Sequence, residues 1–200
     1  ILNDLGLVHF NAQKYSQAMP YFLKALEQYP SNAVFLQNIL HLFVQMKQFE
    51  EALRIFNIHR DRFPENVELL KYAALLNSKL NRDTDAIDEY RKLYQRFPQD
   101  EEIMREYALT LWKQNDFSGA FRVMQQFLSR NDSTRTRLLL AQLYRSQKHH
   151  DTAIQILTEL QRRRGPGKET TPEIAVELIE NYLSAGDYSK SLALAEEQVR

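Results

Sequence analysis

Five histidines, no cysteine and a scatter of carboxylates are the residues from which this 200-residue chain could build chemistry. A zinc protease needs two histidines one helical turn apart in an HExxH frame, so that both rings reach one metal. His9, His41, His59, His149 and His150 offer no such pair. His149 and His150 are neighbours in an expected turn, where adjacent rings point apart and stay solvated. His9 and His59 fall at positions expected to pack between helices. The absence of cysteine removes disulfides, thiolate metal sites, iron–sulfur clusters and cysteine nucleophiles. Gly165-Pro166-Gly167 lacks the Lys-Ser/Thr that completes a phosphate loop, and no serine stands in a Gly-x-Ser-x-Gly elbow. Acidic pairs such as Glu50–Glu51 and Glu101–Glu102 read as solvated helix faces. No catalytic constellation emerges, no cofactor or metal is expected, and the chain reads as non-enzymatic.

The elements that carry these side chains follow from composition and period. Lys+Arg and Asp+Glu both number 26, for a formal net charge of zero, which argues against a generic nucleic-acid binder. No apolar run approaches the roughly 18 residues of a membrane span, so no direct membrane insertion is expected. Five glycines and six prolines are about half the usual share of roughly 7% and 5%. So few turn residues imply long helices. Pro30, Pro64 and Pro98 recur every 34 residues, in the phrases Gln28-Tyr29-Pro30, Arg62-Phe63-Pro64 and Arg96-Phe97-Pro98. Ala18, Ala52, Ala86, Ala120 and Ala153 follow at intervals of 34, 34, 34 and 33, and Ser191 after 38. Four residues after each alanine stands a large apolar side chain: Phe22, Phe56, Tyr90, Met124 and Leu157. An aromatic precedes by three at Tyr15, Phe49, Phe117 and Tyr188. Residues i and i+4 share a helical face, so each pair sets a small residue at a close helix crossing beside a large one that fills the adjoining space. Each unit reads as helix A, turn, helix B and a proline turn, because the residue before proline is pushed out of the helical region.

The spacing predicts twelve helices, at roughly 1–12, 15–28, 33–46, 49–62, 67–80, 83–97, 101–115, 117–130, 134–147, 150–164, 172–185 and 188–200. Pro20 is expected in the first turn of its helix or just past it, and otherwise at a kink. The run Arg162–Lys168 is read either as a basic contact loop or as a helix C-terminus with favourable cations followed by a Gly-Pro-Gly turn. The helical pattern already runs at Ile1 and stops mid-phase at Arg200, so an excerpt of a longer protein is expected.

This pattern resembles the tetratricopeptide repeat, whose consensus places Leu-Gly in helix A, then Tyr, Ala, Phe, Ala and a final Pro. The first unit matches with Leu5-Gly6, Tyr15, Ala18, Phe22, Ala25 and Pro30. Later units depart at single positions, as at Asp83 for the aromatic and Asp132 for the proline. The resemblance implies an all-α, right-handed α-solenoid (superhelix) of about six helix–turn–helix repeats. They would form one domain over 1–200, with repeats at approximately 1–32, 33–66, 67–100, 101–133, 134–171 and 172–200.

In that family the A helices line a concave groove at positions two, five, nine, twelve and thirteen of each repeat. Carried over by register, the groove residues are Asn3, Leu7 and Phe10 in unit one and Gln37 and His41 in unit two. Unit three supplies Lys71, Leu75 and Lys79, and unit four Arg105, Leu109, Trp112 and Lys113. Unit five supplies Arg135, Gln142 and Arg145. Cations beside an indole suit an extended acidic peptide, or a sugar chain stacked on Trp112. Glu68 lies one turn from Lys71 and Glu102 one turn from Arg105, so part of the charge is expected to be neutralised within each helix. The family's carboxylate clamp for chaperone tails is not matched: its Lys and Asn positions hold Asn3 and Leu7 in unit one, and Leu75 and Glu106 stand where asparagines belong if it starts at unit three.

The resemblance implies a non-enzymatic scaffold for a protein partner, either an extended or acidic segment or another subunit of an assembly. Two alternatives stand beside it. One is a periplasmic array of a bacterial exopolysaccharide secretion system that recruits a polymer-modifying enzyme or guides the polymer. The other is a substrate-selecting arm of a larger enzyme. Cysteine avoidance leans towards the bacterial periplasm but leaves the compartment open.

Overall fold

The computed structural model describes residues 1–163 and 171–199. Every regular element among them is helical. The A helices are α1 (Leu2–Asn11), α3 (Ala33–Gln45), α5 (Val67–Lys79), α7 (Glu101–Lys113), α9 (Thr134–Ser146) and α11 (Pro172–Ala185). The B helices are α2 (Tyr15–Gln28), α4 (Phe49–His59), α6 (Asp83–Arg96), α8 (Phe117–Leu128), α10 (His150–Arg163) and α12 (Tyr188–Val199). Arg162 and Arg163 lie in the last turn of α10, while the remainder of the expected basic loop, Arg164–Lys168, falls outside the described residues.

Two local devices repeat with the 34-residue period and explain where helices begin and end. Each A helix from α3 onward is capped by a side-chain oxygen that accepts a backbone N–H of its open first turn. Asn32 accepts from Val34 at 3.0 Å, Asn66 from Leu69 at 3.0 Å, and Asp100 from Glu102 and Ile103 at 2.9 and 3.0 Å. Ser133 accepts from Thr136 at 3.0 Å, and Thr171 from Ile174 at 3.4 Å. The turn from A to B is made each time by a left-handed residue: Gln13, Lys47, Asn81, Asn115, Lys148 and Gly186. Only the last is glycine, the residue that reaches positive φ without a Cβ penalty.

The expected helices are present, with differences at their ends. α4 stops at His59 and tightens into a 3₁₀ turn over Arg60–Arg62 before Pro64, where an α-helix through 62 is expected. Pro20 is the sixth residue of α2 and leaves the helix assigned without a break. Its ring stands on an exposed face, and the bond it forfeits is to Ser16 in the first turn. His150 opens α10 rather than lying in a turn with His149.

By contact the chain divides into two compact units, Ile1–Phe117 and Ser118–Arg200. In the first, consecutive helices pack from α1 to α7 around Ala18, Phe22, Leu36, Ile39, Leu40, Ala52, Phe56, Leu69 and Leu76. Gly6 lets α1 approach closely: a Cβ there would stand 2.5 Å from the Phe22 ring. In the second unit Ala141, Ala153, Leu157, Leu160, Ile174 and Leu178 form the core between α9, α10 and α11. Ala18, Ala52, Ala86, Ala120 and Ala153 are all fully buried, as the small-residue series requires of a close crossing. No described helix is long and apolar enough to cross a membrane.

Candidate functional site

The candidate face is built by the A helices, and its polar side chains mostly reach across to the next repeat. Between α1 and α3, the Asn38 amide donates to Asn3 Oδ1 at 2.7 Å. Phe10 packs its ring 4.9 Å from that of His41 and 5.4 Å from that of Tyr15. Leu7 leans on the core beside it. His41 Nε2 lies 3.1 Å from Gln45 Nε2. Gln37 donates to Asn66 Oδ1 at 3.2 Å, the oxygen that also caps α5. This amide-rich third is thus engaged in joining its own repeats. His9 stacks on Tyr21, with ring centres 5.3 Å apart. His59 is half-buried, and burial together with the Arg62 charge holds its pKa below the usual imidazole value.

Between α5 and α7 the face opens into a cleft of about 310 Å³. Tyr72, Leu75 and Ile103 form its apolar wall, Tyr90 closes it from α6, and Glu68, Lys71, Glu102 and Glu106 supply its charge. The Lys71 ammonium, with only 18% of the side chain exposed, lies 3.3 Å from Glu68, 3.1 Å from Asp100 and 3.0 Å from Glu102. Burial alone would lower its pKa, but hydrogen bonds to Glu102 and Asp100 and the charges of Asp100 and Glu68 outweigh that and raise it. Burial, followed by the charges of Glu106 and Glu102, pushes the Tyr90 phenol well above its usual range. Burial and Glu68 also raise Tyr72.

These pairings correct the expected charge of the groove. Glu102 does not neutralise Arg105 one turn away; it reaches Lys71 on the preceding A helix. Arg105 pairs instead with its neighbour Glu106 at 2.8 Å. Four carboxylates, Glu68, Asp100, Glu102 and Glu106, therefore face two cations, Lys71 and Arg105, leaving two negative charges in excess. Lys113 is likewise engaged within the protein. Its ammonium donates to Asn81 Oδ1 and Asp83 Oδ1 at 2.9 Å and to the Ser78 carbonyl at 3.3 Å, binding α7 to the α5–α6 turn. The α5–α7 stretch is therefore acidic where cations are expected, because Lys71 is held by Asp100 and Glu102 of the next repeat and Arg105 by its neighbour Glu106.

The other expected residues are placed as follows. Trp112 is half-buried, with its ring 4.5 Å from that of Phe117. Leu109 is half-buried on α7, and Lys79 is exposed at the end of α5. In the second unit Arg135 is exposed in the first turn of α9. Gln142 donates to Glu177, and Arg145 pairs with Glu180 and lies 3.5 Å from Glu177. Tyr72, Tyr90 and Glu106 were not among the expected groove residues. Tyr90 follows its alanine by four residues, which marks it as a core filler and conceals that it also faces the cleft. Among the described residues, no group of three or more His, Asp or Glu side chains is arranged to hold a metal ion.

A tetratricopeptide repeat family model matches residues 39–101 and 107–169, and a second one matches residues 1–32. Among solved structures, the chain is similar to a tetratricopeptide repeat protein from Parabacteroides merdae, with a TM-score of 0.74 at 18% identity over 98% of this chain and 77% of that one. It is also similar to PilF of Pseudomonas aeruginosa, with a TM-score of 0.63 at 21% identity over 90% of this chain and 78% of that one. A thermophilic repeat protein of Thermus thermophilus gives 0.62 at 17% identity, covering 91% and 97%. At these identities the likeness is one of fold. No curated protein matches the sequence.

Proposed function

The chain belongs to the tetratricopeptide repeat family, and from that footing we propose that it is a non-enzymatic scaffold that docks a protein partner on the face of its A helices. One observation carries the reading. The A-helix face of the first unit holds a cleft with an apolar wall and charged rim, which suits a side chain inserted from a partner better than a buried metabolite. Proteins of this architecture are generally interaction scaffolds, because stacked repeats create a long surface without a deep pocket.

The test is affinity capture with the immobilised chain, comparing Leu75→Ala/Leu109→Ala with Ile58→Ala. Leu75 and Leu109 occupy equivalent half-buried positions on α5 and α7, whereas Ile58 is exposed on α4. Each leucine truncation at a contact would cost about 1–3 kcal/mol of binding. A partner lost by the A-helix variant and retained by Ile58→Ala supports docking on this face. Loss with Ile58→Ala alone refutes it.

A further inference from the structure

We infer that the α5–α7 cleft receives the cationic side chain, lysine or arginine, of an extended partner segment. The inference rests on the A-helix docking reading and names the chemistry of its occupant.

Volume comes first. At about 310 Å³ the cleft has room for a long side chain but not for a folded element. Its wall of Tyr72, Leu75 and Ile103 matches the methylene stem of lysine or arginine, which packs on apolar surface while its charged head stays with polar groups.

Charge decides the sign. Two negative charges remain in excess after Lys71 and Arg105 have been counted. The ion pairs engage Glu68 Oε1, Glu102 Oε2 and Glu106 Oε1, and the second oxygen of each carboxylate has no hydrogen bond or ion pair among the described residues. A carboxylate offers about four lone-pair sites, so acceptors remain for an incoming N–H donor. Lys71 shows that this cluster holds an ammonium: the same carboxylates bind it and keep it protonated.

An independent observation points to a ligand. Tyr90 lines the cleft with 3% of its surface exposed, and no hydrogen bond engages its hydroxyl among the described residues. That oxygen keeps an acceptor site open towards the cleft, where an incoming N–H donor can reach it. A guanidinium or ammonium reaching the end of the cleft would donate to that oxygen and lie near the faces of Tyr72 and Tyr90, where the ring quadrupole attracts cations.

The probes are three synthetic nine-residue peptides of alternating serine and leucine with arginine, methionine or glutamate at the centre. Each is titrated into the ¹⁵N-labelled chain, with amide shifts followed by NMR. The expected result is shifts on α5 and α7 with the arginine peptide binding about tenfold more tightly than the methionine peptide and the glutamate peptide weakest, a preference that shrinks as salt rises. Glu102→Gln/Glu106→Gln should remove most of that preference. Tyr90→Phe keeps the ring and should weaken the arginine peptide about threefold, with circular dichroism reporting that both variants fold. Equal affinities of the three peptides at α5 and α7, or a preference unchanged in the glutamate variant, overturn the cationic assignment and leave A-helix docking standing. Shifts confined to B-helix residues such as Leu23 and Ile58, or none with the arginine peptide at millimolar concentration, overturn both.

Discussion

Replacing Lys71 by methionine separates the two ways of reading this residue. If Lys71 were a groove cation that attracts an acidic partner, its loss would weaken binding to that partner and leave the fold untouched. The structure assigns it the opposite role: its single charge is shared among three carboxylates of the protein itself, at 3.0 to 3.3 Å. Methionine keeps the apolar stem and removes the charge. Glu68 and Glu102 are more than half exposed, so their pairings contribute little, whereas Asp100 is 30% exposed and also caps α7. Together the lost pairs and the unrelieved carboxylate repulsion should destabilise the first unit by about 1–2 kcal/mol. The lost positive charge also raises the excess in the cleft from two negative charges to three. At about 6 Å and an effective dielectric of 40 to 80, one charge is worth about 0.7–1.4 kcal/mol, so the arginine peptide should bind about three to ten times more tightly. Urea denaturation followed by the fluorescence of Trp112, the sole tryptophan, reads the first effect within the same unit. Peptide titration reads the second. pH provides a further check. Because the folded state raises the Lys71 pKa, its contribution is complete below the unfolded value of about 10.4 and is lost as pH climbs through the folded value. The stability difference between wild type and variant should therefore stay constant from pH 7 to about 10 and shrink above it. A variant as stable as wild type, or one that binds the arginine peptide more weakly, refutes the reasoning.

Two further predictions concern the repeat itself. Gly6→Ala gains about 1 kcal/mol of helix propensity but drives a methyl into the fully buried Phe22 ring, and overpacking at about 1–3 kcal/mol should win, read as faster hydrogen exchange in α1 and α2 and a lower Tm. Lys47→Gly relieves a left-handed residue at φ 57°, worth about 1–2 kcal/mol, against about 0.4–1 kcal/mol of added unfolded-state entropy, so a Tm raised by up to ~4 °C is expected and a lowered one would contradict it.

The sequence by itself determined the unit. Alanine every 34 residues with a large side chain four later places both on one face of one helix, and that relation is local, so it is legible without a structure. The capping and left-handed positions carry the same period but vary in residue type, from Asn32 to Thr171 and from Gln13 to Gly186, because several side chains accept one hydrogen bond and several tolerate one strained turn. The charge of the A-helix face was decided only by tertiary structure. Glu102 is one helical turn from Arg105 in sequence, yet it binds Lys71, 31 residues away; Lys113 likewise binds Asp83, 30 residues back. Helical period identifies neighbours within a helix. Which partner a long flexible side chain reaches depends on how closely adjacent A helices pack, and between α5 and α7 that packing leaves carboxylates in excess where the sequence shows cations.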